Sequence, residues 1–575
     1  MDPRIAYFSM EVALEPAIPT YSGGLGVLAG DFLRSSADAE LPMVAVSLAY
    51  RQGYFRQKLD AAGTQTESAD PWQPSSRTTR VDTMVTITLY GRPVHIRAWR
   101  YEIHGVSGGV LPVYLLDTDV PGNHPDDRVL TDQLYGGDAA YRLAQEAVLG
   151  LGGERMLEAL GYKGIESYHL NEGHAALLVV GLLEKQLRSR DVEPIAADPN
   201  DLAAVRESCI FTTHTPVPAG HDRFMVDLVH KVLGERRLHL IESIDGLHDA
   251  QLNMTYLALQ GSRYINGVAM RHGEVSQDMF PNYPIHAITN GVHAGTWTSR
   301  VFADLFDRQI PEWRRDNYYL RYAVGIPLDE IREAHAAAKA LLLAEIQTRT
   351  GVTFDPNVFT IGFARRAATY KRAHLFLEDP KRLRDIASKA GKFQVIYAGK
   401  AHPKDEAGKA EIARVVAEAA ELGDVVKFVY LENYDLTLGA LMTAGVDLWL
   451  NTPQPPMEAS GTSGMKAALN GVPSFSILDG WWIEGHVEGI TGWSIRDGDM
   501  YDKLETLILP RFYHKPDDYV EMMRSTIALN GSFFNTQRMV AQYAMNAYFS
   551  TDEQHAMPAM SANGFAIPER PHAIP

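Results

Sequence analysis

Short apolar segments that end in polar, glycine- or histidine-bearing loops recur along most of the chain. The boundaries lie after Leu170, Thr212, Ile288, Phe363, Tyr397, Tyr430 and Leu450. Each apolar segment has the length of a buried strand. In open α/β sheets, ligands bind just beyond the carboxyl ends of the strands. The pattern therefore predicts an α/β protein with two doubly wound, Rossmann-like lobes and a central cleft.

The stretch Glu458–Lys466, EASGTSGMK, is the most distinctive of these loops. It follows the apolar run 446–450 and a proline-rich turn, and it precedes a short predicted helix closed by Asn470 and Gly471. Small residues at a helix N-terminus expose backbone N–H groups that suit an anion. The helix dipole disfavours a lysine in the first turn, so Lys466 indicates either a phosphate partner or an imine-forming amine. Local sequence leaves open an exposed lysine beside an ordinary loop.

A second glycine loop, Tyr21–Gly26, precedes residues 27–39, which have the apolar spacing of an amphipathic helix. Gly24-x-Gly26-x-x-Ala29 matches a dinucleotide-binding fingerprint, but a proline-broken loop leads into it instead of a strand. The dinucleotide interpretation is therefore weak. The loop can still offer N–H groups to an anion or a polyol.

A basic run, Arg365, Arg366, Lys371 and Arg372, follows the apolar segment 358–363 directly. If the run is helical, positions 366 and 370 stack and 371 lies one step round, which would gather a guanidinium, a phenol and an ammonium. A solvated basic face is the usual interpretation of such a run. Its place after a buried-type strand in an acidic protein favours a phosphate pocket.

Composition narrows the function classes. At 575 residues the chain exceeds what one hydrophobic core usually supports, and a net charge of −17 argues against a nucleic-acid partner. The single cysteine, Cys209, excludes an internal disulfide and suits a reducing cytoplasm. The start of the chain does not resemble a signal peptide, and the longest apolar run, 175–183, is too short to span a bilayer. We expect a cytoplasmic protein without a membrane partner.

Two histidine-rich stretches were considered as metal sites. His169 and His174 lie five residues apart, so they cannot share one helix face as an i,i+4 pair does. Two prolines separate His214 from His221 and Asp222. We therefore expect no catalytic metal.

Taken together, EASGTSGMK, the GGLG loop and the basic run resemble the α-glucan phosphorylases, the family of glycogen, starch and maltodextrin phosphorylases. The resemblance covers nearly all of residues 5–549 and implies the GT-B glycosyltransferase architecture. Animal and plant members usually read Thr-Gly-Asn-Met-Lys where this chain reads Thr462-Ser463-Gly464-Met465-Lys466. The family's long N-terminal regulatory arm is not found here, so we expect neither phosphorylation control nor nucleotide allostery.

The resemblance also implies a role for each site residue. Lys466 would carry pyridoxal 5′-phosphate, with Arg366 and Lys371 on the phosphates and His214 and Gly24 among the catalytic groups. The other residues expected at the cofactor are Thr462, Ser463, Gly464, Tyr434 and Gly23. Those expected at the sugar and substrate are Tyr370, Glu458, Ser460, Gly461, Asn290, Leu25, Asn171 and His174. For Asn171 and His174, a helix cap and a satisfied core histidine are equally good interpretations.

The sequence thus predicts a reversible, retaining α-1,4-glucan phosphorylase with two lobes, 1–288 and 289–550, and a proline-rich tail, 551–575. The expected partners are an α-1,4-glucan or maltooligosaccharide, inorganic phosphate and glucose 1-phosphate, and the resemblance implies a homodimer. Two alternatives stay open: a nucleotide-sugar-dependent glucan synthase of the same fold, and a non-catalytic glucan-binding homologue. Synthases of that clan carry two glutamates with seven residues between them. Counting from Glu458, the second position is Lys466, which favours the phosphorylase.

Overall fold

The computed structural model describes residues 2–190, 196–217, 220–496 and 498–549. The predicted tail, 551–575, lies outside these ranges. Two large sheets dominate the fold, one with nine strands and one with six.

The nine-stranded sheet has the order β14-β13-β9-β8-β1-β2-β7-β6-β5. Its strands are β1 Ile5–Ser9, β2 Met43–Leu48, β5 Thr79–Leu89, β6 Arg92–His104, β7 Val110–Asp117, β8 Ser167–Asn171, β9 Cys209–Thr212, β13 Tyr264–Gly267 and β14 His286–Ala287. Pairing is parallel from β14 to β7, and β6 and β5 continue the sheet as an antiparallel hairpin. Smaller units are the hairpin β3 Arg56–Leu59 with β4 Gln65–Ser68, and the ribbon of β10 Arg223–Met225, β11 Leu247–His248 and β12 Gln251–Asn253.

The six-stranded sheet is parallel throughout, with the order β17-β16-β15-β18-β19-β20. Its strands are β15 Phe359–Ala364, β16 Phe393–Ala398, β17 Lys427–Leu431, β18 Leu448–Asn451, β19 Ser474–Ile477 and β20 Gly492–Ile495. This is the strand order of a doubly wound sheet, in which the order reverses between β15 and β18 and opens a crevice at that point. The loops that carry the basic run and Lys466 follow these two strands.

Helices cover both sheets. They are α1 Gly24–Asp38, α2 Pro125–Arg128, α3 Ala139–Ala147, α4 Gly153–Ala159, α5 Leu177–Ser189, α6 Pro199–Ser208, α7 Val226–Leu233, α8 Glu235–Ser243, α9 Met254–Gln260, α10 Met270–Met279, α11 Ala294–Trp297, α12 Arg300–Gln309, α13 Leu328–Thr350, α14 Pro380–Lys389, α15 Glu406–Ala420, α16 Leu436–Gly445, α17 Ser463–Leu469, α18 Trp482–Gly485, α19 Met500–Lys503, α20 Leu509–His514, α21 Pro516–Thr526 and α22 Thr536–Tyr543. The 3₁₀ turns are Pro74–Ser76, Gly173–Ala175, Asn317–Gly325, Thr369–Lys371 and Ala373–Leu377, and the π-helical turns are Val148–Gly152, Leu504–Ile508, Ile527–Gly531 and Ala544–Tyr548.

The predicted α/β class is confirmed. The core strands are buried along their whole length on both faces, as the continuous apolar runs predict for parallel sheets. Within the described ranges, no helix is long and apolar enough to cross a membrane. The division at 288/289 stays a prediction.

The last helix, α22, packs on the nine-stranded sheet, whose strands lie far from it in the sequence. Met539, Val540 and Tyr543 of α22 share a hydrophobic cluster with β1 and α1. The Tyr543 hydroxyl also contacts Thr212 Oγ1 at 3.0 Å. This helix, α22, begins at Thr536.

The β3–β4 hairpin ties the two sheets together by hydrogen bonds. Gln57 donates to the Gly399 carbonyl at 2.9 Å, and the Gln65 amide exchanges bonds of 2.9 and 3.0 Å with the backbone of Ala401. Gly399 and Ala401 follow β16 immediately. The loops beyond β16 are therefore held against the first half of the chain, on the side where β15 and β18 also end.

Candidate active site

The Tyr21–Gly26 glycine loop is held in place by one buried carboxylate. Glu11 Oε2 accepts hydrogen bonds from the backbone of Ser22 at 2.5 Å and of Gly23 at 3.3 Å, and Oε1 accepts the Tyr135 hydroxyl at 2.8 Å. A Cβ at Gly26 would lie 2.7 Å from Glu11 Oε2, so the loop can approach the carboxylate this closely only with glycine there.

The loop is open on its other side. A Cβ added at Gly23 or Gly24 would meet no atom within 4 Å. Gly24 is exposed and Leu25 is half-buried, both at the start of α1. Open space therefore lies beside Gly23 and Gly24, and the anion or polyol site stays a prediction.

Lys466 is the fourth residue of the seven-residue helix α17, and its side chain is buried. Its Nζ lies 3.7 Å from the centroid of the Trp297 ring and makes no hydrogen bond or ion pair with a described residue. Burial lowers the pKa of Lys466 to about 8, while Asp31 acts in the opposite direction. The alternative of an exposed lysine is therefore wrong. The amine is buried, and both its neutral and its charged form are populated near pH 8.

The basic run forms an extended loop followed by a 3₁₀ turn over Thr369–Lys371, so its expected helical stacking is wrong. Arg365 Nη2 and Lys371 Nζ instead converge on one carboxylate oxygen, Glu458 Oε2, each at 2.6 Å. Burial favours the neutral carboxyl, but Arg365 and Lys371 hold the pKa of Glu458 below its ordinary value. The loops after β15 and β18 are thereby joined by a buried, ionised triad.

The Arg366 guanidinium interacts with Tyr370 of its own loop and with Tyr54 and Tyr135 of the first half of the chain. The residue is exposed to solvent, but protein atoms surround its guanidinium closely. Burial lowers its pKa, but Tyr370, Tyr54 and Tyr135 more than offset this and raise it above the ordinary value. Burial raises the pKa of Tyr370, but Lys371 and Arg366 more than offset this and bring it below its usual value. Arg366 therefore offers a permanent positive charge that no described carboxylate neutralises.

His214 is positioned by the segment after β8. Its backbone N–H donates to Glu172 Oε2 at 2.7 Å, and its Nε2 lies 2.7 Å from Asn171 Oδ1. Because a carboxamide oxygen only accepts, Nε2 carries the proton. Burial lowers the pKa of His214 to about 4, so the ring is neutral near pH 7.

His174 belongs to a neighbouring polar cluster. His174, Glu146 and Asp222 bring their ligand-type atoms within 4.8 Å of one another, a grouping that the sequence analysis missed. Arg142 contacts both carboxylates, Glu146 at 3.0 Å and Asp222 at 3.0 Å. The arginine thus supplies a positive charge to the two carboxylates of this group. The expectation of no catalytic metal stays a prediction.

The remaining predicted residues line the loops around Lys466. Two buried polar atoms, Ser460 Oγ and Asn290 Oδ1, lack a hydrogen-bond partner among the described residues. Ser463 Oγ accepts from Trp449 Nε1 at 3.1 Å. Gly461 has φ +87°, which glycine accommodates without strain. The half-buried Thr462 and Tyr434 and the buried Gly464 complete the group.

Sequence reasoning missed four residues that organise this site: Glu11, Trp297, Arg365 as a partner of Glu458, and Glu172. Only Arg365 carried a signal, because it opens the basic run. Glu172 accepts hydrogen bonds from the loop at 213–215, and Glu11 from the glycine loop. These bonds join distant segments, which local patterns do not indicate.

Comparison with known proteins agrees with this arrangement. The model of the family described as carbohydrate phosphorylase matches residues 11–143 and 222–490. These ranges contain the glycine loop, the basic run and Lys466. The chain belongs to the carbohydrate phosphorylase family.

Curated relatives extend the match over most of the chain. The maltodextrin phosphorylase of Thermococcus litoralis is 38% identical over 95% of this chain and 70% of its own length. The glycogen phosphorylase of Mycobacterium tuberculosis is 36% identical over the same shares. An uncharacterized protein of Methanocaldococcus jannaschii is 30% identical over 94% of this chain and 99% of its own length. This last relative and the present chain thus match almost from end to end.

The Glu458 triad gives the first test. Glu458→Gln leaves Arg365 and Lys371 without their buried carboxylate, a loss that costs about 3–5 kcal/mol of unfolding free energy in comparable pairs. Because the pKa of Glu458 is depressed, its contribution is complete above about pH 4.3 and is lost as pH falls through its lower folded-state pKa. Urea unfolding at pH 7 and in acid should show a deficit that shrinks with acid.

Glu166→Gln is the control, since Glu166 pairs with Arg4 at the surface. It should change stability little at pH 7. A Glu458→Gln protein as stable as the wild type at pH 7 would show that the triad is not an ionised, buried unit.

Proposed function

We propose that this chain is an α-1,4-glucan phosphorylase, which transfers the terminal glucose of a glucan reversibly to inorganic phosphate and gives glucose 1-phosphate with retention. The observation that carries the proposal is the buried, unpartnered amine of Lys466 on the helix that follows the Glu458 loop, in a chain of the carbohydrate phosphorylase family. The expected substrates are a maltooligosaccharide or longer glucan and phosphate, and a homodimer belongs to the same proposal.

Members of this family use pyridoxal phosphate. The residues present fit that group: Lys466 offers a buried amine that is free of hydrogen bonds and has a pKa of about 8, and the loop after β15 carries several cations. We propose that Lys466 attaches it and that Thr462, Ser463, Gly464, Tyr434, Lys371 and Gly23 surround it. When bound, the group supplies a phosphate that exchanges a proton with the substrate phosphate.

Substrate phosphate is assigned to Arg366. Arg365 and Lys371 are already neutralised in part by Glu458, whereas no described carboxylate pairs with Arg366. A guanidinium binds phosphate through two parallel hydrogen bonds, which also fix its orientation. The backbone N–H of Gly23 already donates to Glu11, so the N–H groups of Gly24 and Leu25, at the start of α1, are the ones assigned to add partial positive charge here.

The sugar is assigned to the polar atoms that the fold leaves available. Ser460 Oγ and Asn290 Oδ1 have unused hydrogen-bonding capacity, and the Glu458 carboxylate retains acceptor positions beside its two cations. His214, neutral and fixed by Asn171, is assigned to the primary hydroxyl together with Asn290. Tyr370 and the backbone of Gly461 complete this set, with His174 at its edge.

These residues suit positioning and electrostatic stabilisation. Fixed dipoles and cations stabilise an oxocarbenium-like transition state between sugar and phosphate without reorganising during the reaction. The buried hydrogen bonds of the hairpin to Gly399 and Ala401 hold the loops together and help to exclude water, which would otherwise compete with phosphate.

The donor in the synthetic direction tests this proposal. The full chain is incubated with a maltooligosaccharide primer and either glucose 1-phosphate or ADP-glucose, and chain extension is measured. We expect extension from glucose 1-phosphate and, in reverse, phosphate-dependent release of that ester. Extension from ADP-glucose alone would instead identify a nucleotide-sugar synthase, and primer binding without turnover a non-catalytic glucan-binding protein.

The phosphate role of Arg366 is tested separately. A charge-assisted hydrogen bond to phosphate is worth about 1.5–3 kcal/mol, so Arg366→Ala should raise the KM for phosphate at least ~10-fold. Arg366→Lys should not restore it, because an ammonium cannot reproduce the bidentate fork. Arg300→Ala, at an arginine whose side chain is 92% exposed, is the control and should leave this KM unchanged. An unchanged KM in Arg366→Ala would remove Arg366 from the phosphate site.

A further inference from the structure

Two acidic side chains of α1 reach across to α11, a helix of the segment that follows the first sheet. Trp297 Nε1 donates to Asp31 Oδ2 at 2.6 Å, and His293 Nε2 lies 2.8 Å from Asp38 Oδ2. Asp31 and Asp38 are seven residues apart, two helical turns, and so lie on one face of α1. Asp31 and Trp297 are both buried, with 1% and 2% of their surface exposed.

The Trp297 ring connects Asp31 to the proposed cofactor lysine. Lys466 Nζ lies 3.7 Å from the ring centroid, the geometry of a close cation–π contact. Asn470 fixes the same pair through the backbone, since its Nδ2 donates to the carbonyls of Trp297 at 2.8 Å and Lys466 at 3.0 Å. The indole is thus held at its N–H by Asp31 and at its backbone by the lysine helix.

We propose that Asp31 is a positioning residue for Lys466: through its hydrogen bond it holds the Trp297 face against the amine, and its carboxylate supplies the negative charge that this buried cation faces. The inference rests on the role proposed for Lys466. It assigns this role to a residue of α1, the helix that begins in the glycine loop. That helix lies far from EASGTSGMK in the sequence.

The elements packed around α17 identify Asp31 as the relevant charge. The helices α11 and α16, the strand β19 and the π-helical turn Ile527–Gly531 carry no titratable side chains in these spans. On α21, Asp517 and Asp518 are exposed, and the half-buried Glu521 and Arg524 pair with each other. Tyr519 of the same helix is buried, and burial raises its pKa well above the ordinary value. On α1, Arg34 contacts Asp31 Oδ1 at 3.4 Å and also bonds the backbone of Ala13.

The charge of Asp31 changes the pKa of Lys466 in a definite direction. Burial lowers the pKa of Lys466 to about 8, and Asp31 opposes that decrease. Replacement of Asp31 by Asn keeps the shape and an acceptor for the indole but removes the negative charge. The ammonium form of Lys466 then loses stabilisation, so its pKa should fall further.

The indole N–H of Trp297 offers a readout that needs no cofactor. The full chain, freed of any bound aldehyde, is labelled with ¹⁵N at its tryptophan side chains, and the Trp297 signal is assigned with Trp297→Phe. A titration from about pH 6 to about pH 10 spans the lysine transition. We expect the wild-type signal to titrate with a midpoint of about 8 and this titration to vanish in Lys466→Met.

Asp31→Asn should displace the Trp297 signal and lower the midpoint by about one pH unit, the effect of one nearby charge. Asp38→Asn is the matched control, because it also removes one negative charge from α1, at a side chain that contacts His293 at the start of α11. It should leave both the signal and the midpoint unchanged.

An unchanged signal and midpoint in Asp31→Asn would overturn the inference. If that variant does not fold, the test is the comparison of the wild type with Lys466→Met. A Trp297 signal that titrates in the same way without the amine would also overturn the inference. Because no cofactor or substrate takes part, either result is separate from a failure of the phosphorylase assay.

Discussion

A buried amine without a hydrogen-bond partner is the constraint on which the rest of the site depends. Removing an ammonium from water is costly, and proteins usually compensate with a carboxylate or shift the pKa. At Lys466 the compensation is partial: an indole face at 3.7 Å, the charge of Asp31, and a pKa of about 8. The remaining bonding capacity of the amine is what makes it available to a cofactor in a member of the carbohydrate phosphorylase family.

The contrast with nearby cations strengthens this interpretation. Arg365 and Lys371 share the carboxylate of Glu458, which neutralises part of their charge within the protein. Arg366 and Lys466 are not paired in this way within the described residues. The segments after β15 and β18 thus carry cations that Glu458 joins as well as cations that pair with no described carboxylate. Both kinds meet at the crevice where the strand order of the second sheet reverses.

Local patterns predicted the fold class and the positions of the loops well. Continuous apolar runs mark buried parallel strands, and the polar loops at their ends follow from the geometry of such sheets. The helical arrangement considered for Arg365–Arg372 is wrong: the backbone forms an extended loop and a 3₁₀ turn, and in this conformation Arg365 and Lys371 both contact Glu458. Partnerships such as Glu11 with the glycine loop, or Asp31 with Trp297, join segments that lie far apart in sequence. No periodicity encodes them, so only the folded chain reveals them.

The most direct test of the account is the chemical identity of the group on Lys466. The purified full chain is reduced with borohydride, digested and mapped by mass spectrometry, with Lys466→Ala treated in parallel. The account predicts a pyridoxyl phosphate adduct on the peptide that contains Lys466 and none in the variant. An unmodified Lys466 in protein that catalyses phosphorolysis, or an adduct confined to another lysine, would contradict it.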